Sequence, residues 1–214
     1  VGIPFCPSIC LYCSFGSHPL ERWTKRVDEY LDTLCKELTF IREQMGVRKL
    51  TTVYIGGGTP TTLEPEQLRR LLSHIQKTFD FTWVKEYTVE AGRPDSITKE
   101  KLQVMKEFPV TRISVNPQTM NQKTLDVIGR KHTVEDTVNI FHMARELGFD
   151  NINMDLIIGL PGEGKEEVAH TLQEVENLHP DSLTIHSHLD LEYAIRRLEK
   201  DQPDSLTFLG KVGV

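Results

Sequence analysis

No stretch of this chain is long and apolar enough to cross a bilayer. The longest apolar runs, Leu156–Leu160 among them, fall far short of the roughly 18 residues a spanning helix needs. Nor is there an excess of basic residues. Lys and Arg number 25 against 31 Asp and Glu, a net charge of −6, so bulk electrostatics gives no reason to expect a nucleic-acid partner. No basic leader or apolar signal core opens the chain, and no Met stands first. Val1–Phe5 already reads as a strand, so we expect a piece cut from something longer, working in the cytoplasm. Cysteine is scarce, four residues in all, yet three fall within eight positions: Cys6, Cys10 and Cys13. With no secretory signal, that crowding speaks against a disulfide framework and for metal ligation.

The 214 residues, 38% hydrophobic and 26% charged, suit one soluble domain or one with a short appendage. Strand-length apolar runs alternate with stretches of helical period. The expected strands are Val1–Phe5, Thr52–Ile55, Tyr87–Glu90, Arg112–Val115, Asn153–Ile158 and Ser182–His186. Val53–Ile55 and Ile152–Ile158 are β-branched enough to be buried on both faces. Expected helices are Arg22–Met45, Pro65–Thr78, Thr98–Phe108, Val134–Leu147 and Glu166–Leu178. Thr133 with Asp136 resembles a capping pair, and Gly46 and Gly148 are stop signals. Repeated βα units imply a parallel sheet; a doubly wound sheet and a partial barrel fit this pattern equally well. The rhythm stops after Ser187, which divides the chain into a core, 1–187, and an appendage, 188–214, with one helix over Leu191–Lys200.

Cys6, Cys10 and Cys13 have the spacing C-x₃-C-x₂-C on a loop after the first strand. Three thiolates so placed can converge on one centre. An iron–sulfur cluster usually takes four, so three leave one iron open to a substrate or cofactor. A structural zinc with His18 or Cys35 as fourth ligand is the alternative, although Cys35 lies on the apolar stripe of a helix and reads as a buried small hydrophobe.

Later motifs stand at successive strand ends, where α/β folds build their sites. Gly56-Gly57-Gly58-Thr59-Pro60 is a tight turn or a place for close ligand approach. Glu90, before Ala91-Gly92-Arg93-Pro94-Asp95, is a surface acid or a ligand contact; Gln118 and Arg130 taken singly read as solvated polar residues. Asp155 interrupts the apolar run Met154–Ile158, and burying an unpaired carboxylate is costly, so it faces a polar site or a partner. Tyr12 and Phe15 flank the last cysteine of the loop.

Together these residues, spread over positions 3 to 163, resemble the radical S-adenosylmethionine (SAM) enzymes. Gly-Gly-Gly-Thr-Pro and Glu-Ala-Gly-Arg-Pro-Asp look like the forms found in oxygen-independent coproporphyrinogen III oxidases and their relatives. The resemblance implies an α/β fold, a partial (β/α)6 TIM-like barrel. It implies a 4Fe-4S cluster on Cys6, Cys10 and Cys13 whose open iron is chelated by SAM. It further implies cofactor contacts from Tyr12, Gly57, Gly58, Thr59, Glu90, Gln118, Arg130, Asp155 and Ile157. The implied activity is oxidative decarboxylation of coproporphyrinogen III in haem synthesis, begun by a 5′-deoxyadenosyl radical, with a tetrapyrrole substrate and a low-potential electron donor as partners. The alternative is a haem carrier on the same scaffold, with His18 or His186 as an axial ligand. Neither nucleic acid nor membrane is expected. The chain departs from the family where Ser14-Phe15-Gly16-Ser17 replaces a glycine and a fourth cysteine, and again after Ser187, so a large tetrapyrrole would not be fully enclosed by what is present.

Overall fold

A computed structural model describes residues 1–13 and 18–186. The segment with Phe15, and the appendage 188–214 with its expected helix, lie outside the described residues. Among the described residues are eight strands: β1 (Gly2–Ile3), β2 (Phe5–Cys6), β3 (His18–Pro19), β4 (Thr52–Gly57), β5 (Glu86–Glu90), β6 (Arg112–Ser114), β7 (Ile152–Ile157) and β8 (Ser182–His186). Between them run α1 (Leu20–Trp23), α2 (Val27–Met45), α3 (Pro65–Thr78), α4 (Lys99–Lys106), α5 (Gln122–Val127), α6 (Val134–Glu146) and α7 (Lys165–Leu178).

Six strands form one all-parallel sheet in the order β1-β4-β5-β6-β7-β8, while β2 and β3 pair separately. A doubly wound sheet reverses its strand order at a switch point. Here spatial order follows chain order without reversal, as a partial barrel requires. That decides between the two architectures that periodicity alone left open.

The helices form for local reasons. In α3, Pro65 stands at the first helical position, Gln67 Oε1 accepts from the Glu64 N–H, and Leu68, Leu71, Leu72 and Ile75 recur at three- and four-residue steps, all buried. Each such side chain contributes roughly 1.5–3 kcal/mol on burial. A capping box opens α6: Thr133 Oγ1 accepts from the Asp136 N–H at 3.0 Å, and Asp136 Oδ2 accepts from the Thr133 N–H at 2.7 Å. The expected helix from Arg22 is broken by a 3₁₀ turn at Thr24–Arg26, after which α2 buries Val27, Leu31, Leu34 and Leu38. Cys35 is only half-buried on α2, where that partial burial pushes its thiol pKa up.

Alternation sorts the sheet into two faces. Val53, Ile55, Tyr87, Val89, Ile113, Ile152, Met154 and Leu156 join the helices in the main core. On the other, concave face stand Tyr54, Thr88, Glu90, Arg112, Ser114, Asn153 and Asp155, aligned by register. β4 is therefore not buried on both faces: Tyr54 is 48% exposed, because its side points into the open cup. β7 comes closer to the expectation, with Asp155 its one incompletely buried residue. The edge strand β8 leaves Leu183 and Ile185 exposed.

Candidate functional site

The site lies at the C-terminal ends of the parallel strands. β1 enters the cluster loop through Pro4 and the β2 residues, so Cys6 is held by backbone pairing while Cys10 and Cys13 follow on the turn. The end of β4 presses against this loop. Gly58 donates its N–H to Ile3 O at 2.7 Å and Thr59 donates to Phe5 O at 2.8 Å. A Cβ on Gly58 would stand 2.6 Å from Phe5 O and 3.0 Å from the Cys6 sulfur, so only glycine fits there. Gly57, at φ +108°, has the Ile3 carbonyl at the same close range, 3.0 Å from its virtual Cβ. Thr59 is buried and directs its hydroxyl at the Cys6 sulfur, 3.6 Å away.

The second half of the loop meets β5 and the segment after β6. Leu11 N–H bonds to Ile128 O at 3.0 Å. Arg130, 7% exposed, donates from Nη2 to the Tyr12 hydroxyl at 2.7 Å and from Nη1 to Asn116 O at 3.0 Å. Burial raises the Tyr12 phenol pKa, with Arg130 opposing. Tyr12 also packs on a small cluster of Leu125, Ile128, Ile157 and Leu160, which places Ile157 under the loop. Arg93 donates to the Cys10 sulfur at 3.2 Å.

The carboxylates occupy the concave face. Glu90 is half-buried and accepts from the Tyr54 hydroxyl. Burial lifts its pKa above the usual carboxylate range; the Tyr54 hydroxyl and the Gly57 N–H pull it back, and Asp155 adds to the rise. Asp155 accepts from Asn153 Nδ2 at 2.6 Å, and Asn153 Oδ1 in turn accepts from Ser182 and Thr184 at 2.8 and 3.2 Å. Gln118 is in the left-handed region, φ 70°, fixed between β7 residues by its N–H to Asp155 O and by Ile157 N–H to its own carbonyl. A cavity of about 440 Å³ opens beside Gly57, Gly58 and Glu90 against Gly2, Pro4 and Tyr30, within the range of small-molecule sites.

Ser114 Oγ, Asn116 Oδ1 and Gln118 Oε1 are buried with no hydrogen-bond partner among the described residues. Ser114 stands on the concave face, and Gln118, beyond the end of β6, bridges Leu156 of β7. Buried polar atoms are ordinarily paired, so these three oxygens near the strand ends have bonding capacity left for a polar ligand. Among the described residues no three or more His, Cys, Asp and Glu side chains are gathered so as to hold a metal ion, and the His18 ring packs at a tilt against Trp23.

The model of the radical SAM superfamily matches residues 1–175. The chain belongs to the radical SAM superfamily. The cofactors of that family are a 4Fe-4S cluster and SAM. The chain is 47% identical over 190 residues to the oxygen-independent coproporphyrinogen-III oxidase-like protein HemZ of Bacillus subtilis, a match covering 87% of this chain and 38% of that protein. It is 38% identical to the heme chaperone HemW of the same organism, over 87% of this chain and 49% of the relative. The coproporphyrinogen III oxidase HemN of Escherichia coli has a solved structure that superposes with a TM-score of 0.82 at 29% identity, covering 98% of this chain and half of that one. The chain thus spans about half or less of the length of these relatives.

Expected contacts of the radical SAM site gather at one end of the sheet: Gly58 and Thr59 at Cys6, Tyr12 and Arg130 beside Cys10, Glu90 with Asp155 across the cup, and Gln118 bonded to β7. His186 ends β8, far along the sheet order from the β1 side on which His18 lies. Sequence reasoning missed Tyr54, read there as a buried strand residue, and Arg93, noted only as part of a motif. Strict alternation with Glu90 across β4 and β5 was the available signal for Tyr54.

Proposed function

We propose that this chain is the core of a radical SAM oxidoreductase of haem metabolism, and that its substrate is coproporphyrinogen III. The observation that carries the reading is the convergence of the three-cysteine loop, the Gly57–Thr59 turn, Glu90 and Asp155 at the C-terminal strand ends, where the Ser114, Asn116 and Gln118 oxygens are left unsatisfied. Cys6, Cys10 and Cys13 would hold the cluster. Gly57, Gly58, Glu90, Gln118, Arg130 and Asp155 would hold SAM, with Thr59 reaching the cluster through Cys6. Glu90 and Asp155 face each other closely enough for one to raise the other's proton affinity. A cation between them relieves that repulsion, and SAM brings an ammonium and a sulfonium. Gln118 and Asn116 offer amides to the ligand's polar groups, and the Ile157 cluster shields the loop from water. Bound there, the cluster and SAM supply the one-electron chemistry that removes a hydrogen atom from the substrate. On a propionate side chain, loss of that hydrogen, of CO₂ and of one further electron to an external acceptor leaves a vinyl group. A low-potential donor would be needed to reduce the cluster.

The identity to HemW favours a second reading, a haem carrier on the same scaffold. One experiment separates them. The reconstituted protein is reduced anaerobically with SAM and coproporphyrinogen III, and 5′-deoxyadenosine and vinyl products are assayed by chromatography. Both products support the oxidase. Stoichiometric haem binding with no vinyl product supports the carrier and overturns the first reading.

A further inference from the structure

We propose that Arg93 tunes the reduction potential of the cluster through Cys10, and that Asp95 sets how strongly it does so. This rests on the reading that the three cysteines hold a cluster. Arg93 sits just past the end of β5, immediately before the 3₁₀ turn Pro94–Ser96, and its side chain is only 4% exposed. Its guanidinium is fully committed. Nε and Nη2 grip Asp95 Oδ1 and Oδ2 at 3.0 and 2.7 Å, a bidentate fork. Nη2 also reaches Ser8 Oγ at 3.0 Å, and Nη1 donates to Ser8 O at 3.1 Å and to the Cys10 sulfur at 3.2 Å. An arginine 83 positions away is thus pinned to the middle of the cluster loop, with its donor aimed at a ligand sulfur.

Hydrogen bonds to the sulfurs and the local charge are among the levers that set an iron–sulfur potential. Reduction adds an electron to the cluster and its thiolates. A cationic N–H held against one thiolate in a dry site favours the reduced state. The Asp95 carboxylate, bonded to the same guanidinium, offsets part of that positive field. The two partners therefore act on the potential with opposite signs, although both are needed for the geometry. A packing role alone predicts no such opposition. The Thr59 hydroxyl at Cys6 is neutral and longer, 3.6 Å, and is a weaker lever of the same kind.

The test compares the native protein, Asp95→Asn, and the double variant Arg93→Met/Asp95→Asn, which removes the pair without stranding a buried carboxylate. Iron and acid-labile sulfide are measured first, then the midpoint potential by an anaerobic titration followed by electron paramagnetic resonance. Asp95→Asn is expected to lie above the native potential. The double variant is expected to lie below Asp95→Asn by at least tenfold in the ratio of oxidised to reduced cluster, about 59 mV for one electron. Equal potentials in the two variants, with intact iron, overturn the proposal. So does a double variant that binds no iron while Asp95→Asn stays loaded at the native potential, which makes Arg93 a packing residue. If the native protein itself holds no iron, the reading of the cysteines fails instead.

Discussion

His132 is 1% exposed, and neither ring nitrogen has a hydrogen-bond partner among the described residues. Burial lowers its pKa to about 4, with Arg130 and Arg93 adding to the fall and Asp95 and Asp136 opposing it. In the unfolded chain an ordinary histidine titrates near 6.5. Between these values the unfolded state binds the proton and the folded state does not, so stability is full above about pH 6.5 and is lost as the pH falls towards 4. Taking the two pKa values at face value, going from about pH 7.5 to about pH 5 costs roughly 2 kcal/mol through this ring alone. Replacing it by Met removes two unpaired buried nitrogens at similar volume, a change expected to be nearly neutral at the higher pH. The assay is urea denaturation of native protein and His132→Met at both pH values, anaerobically. Other titrating groups cancel between the two proteins, leaving the roughly 2 kcal/mol difference in acid sensitivity. Parallel losses, agreeing within about 0.5 kcal/mol, would refute the reasoning.

Gly58→Ala forces a methyl into the Phe5 carbonyl and the Cys6 sulfur; we expect a loss of about 1–3 kcal/mol and a fall in bound iron, read by denaturation and iron analysis. Glu90→Gln removes one of the facing carboxylates and is expected to weaken SAM binding at least about tenfold, roughly 1.4 kcal/mol, in anaerobic calorimetry, while the denaturation midpoint holds. Thr133→Ala deletes the cap of α6 and is expected to cost about 1 kcal/mol in the same denaturation assay without touching iron content.

The fold was legible because each parallel strand carries its own short apolar run, and all six expected main-sheet strands are found within a residue or a few of their expected ends. Cap chemistry placed α3 and α6 almost to the residue, since Pro65 and the Thr133–Asp136 pair act locally. α5 escaped because six residues anchored by Leu125 make no readable period. The pairing of β2 with β3 escaped because two-residue strands have no alternation to read. The cup residues were visible as strand-end motifs, yet what they touch was not. Arg93 reaches Ser8 and Cys10 across more than eighty residues, and no local rule announces such a contact. Tyr54 was misread because a β-branched strand looks the same whether its second face meets helices or an open cup.

Gln118 holds a backbone angle that a side-chain-bearing residue adopts only at a cost of order 1–3 kcal/mol. Glycine would sit there without complaint. What it would lack is the carboxamide, whose buried oxygen awaits a bond. At this one position the steadiest backbone and the best-equipped cup call for different residues, so a search for tougher variants of the protein would be drawn to the substitution most apt to blunt it.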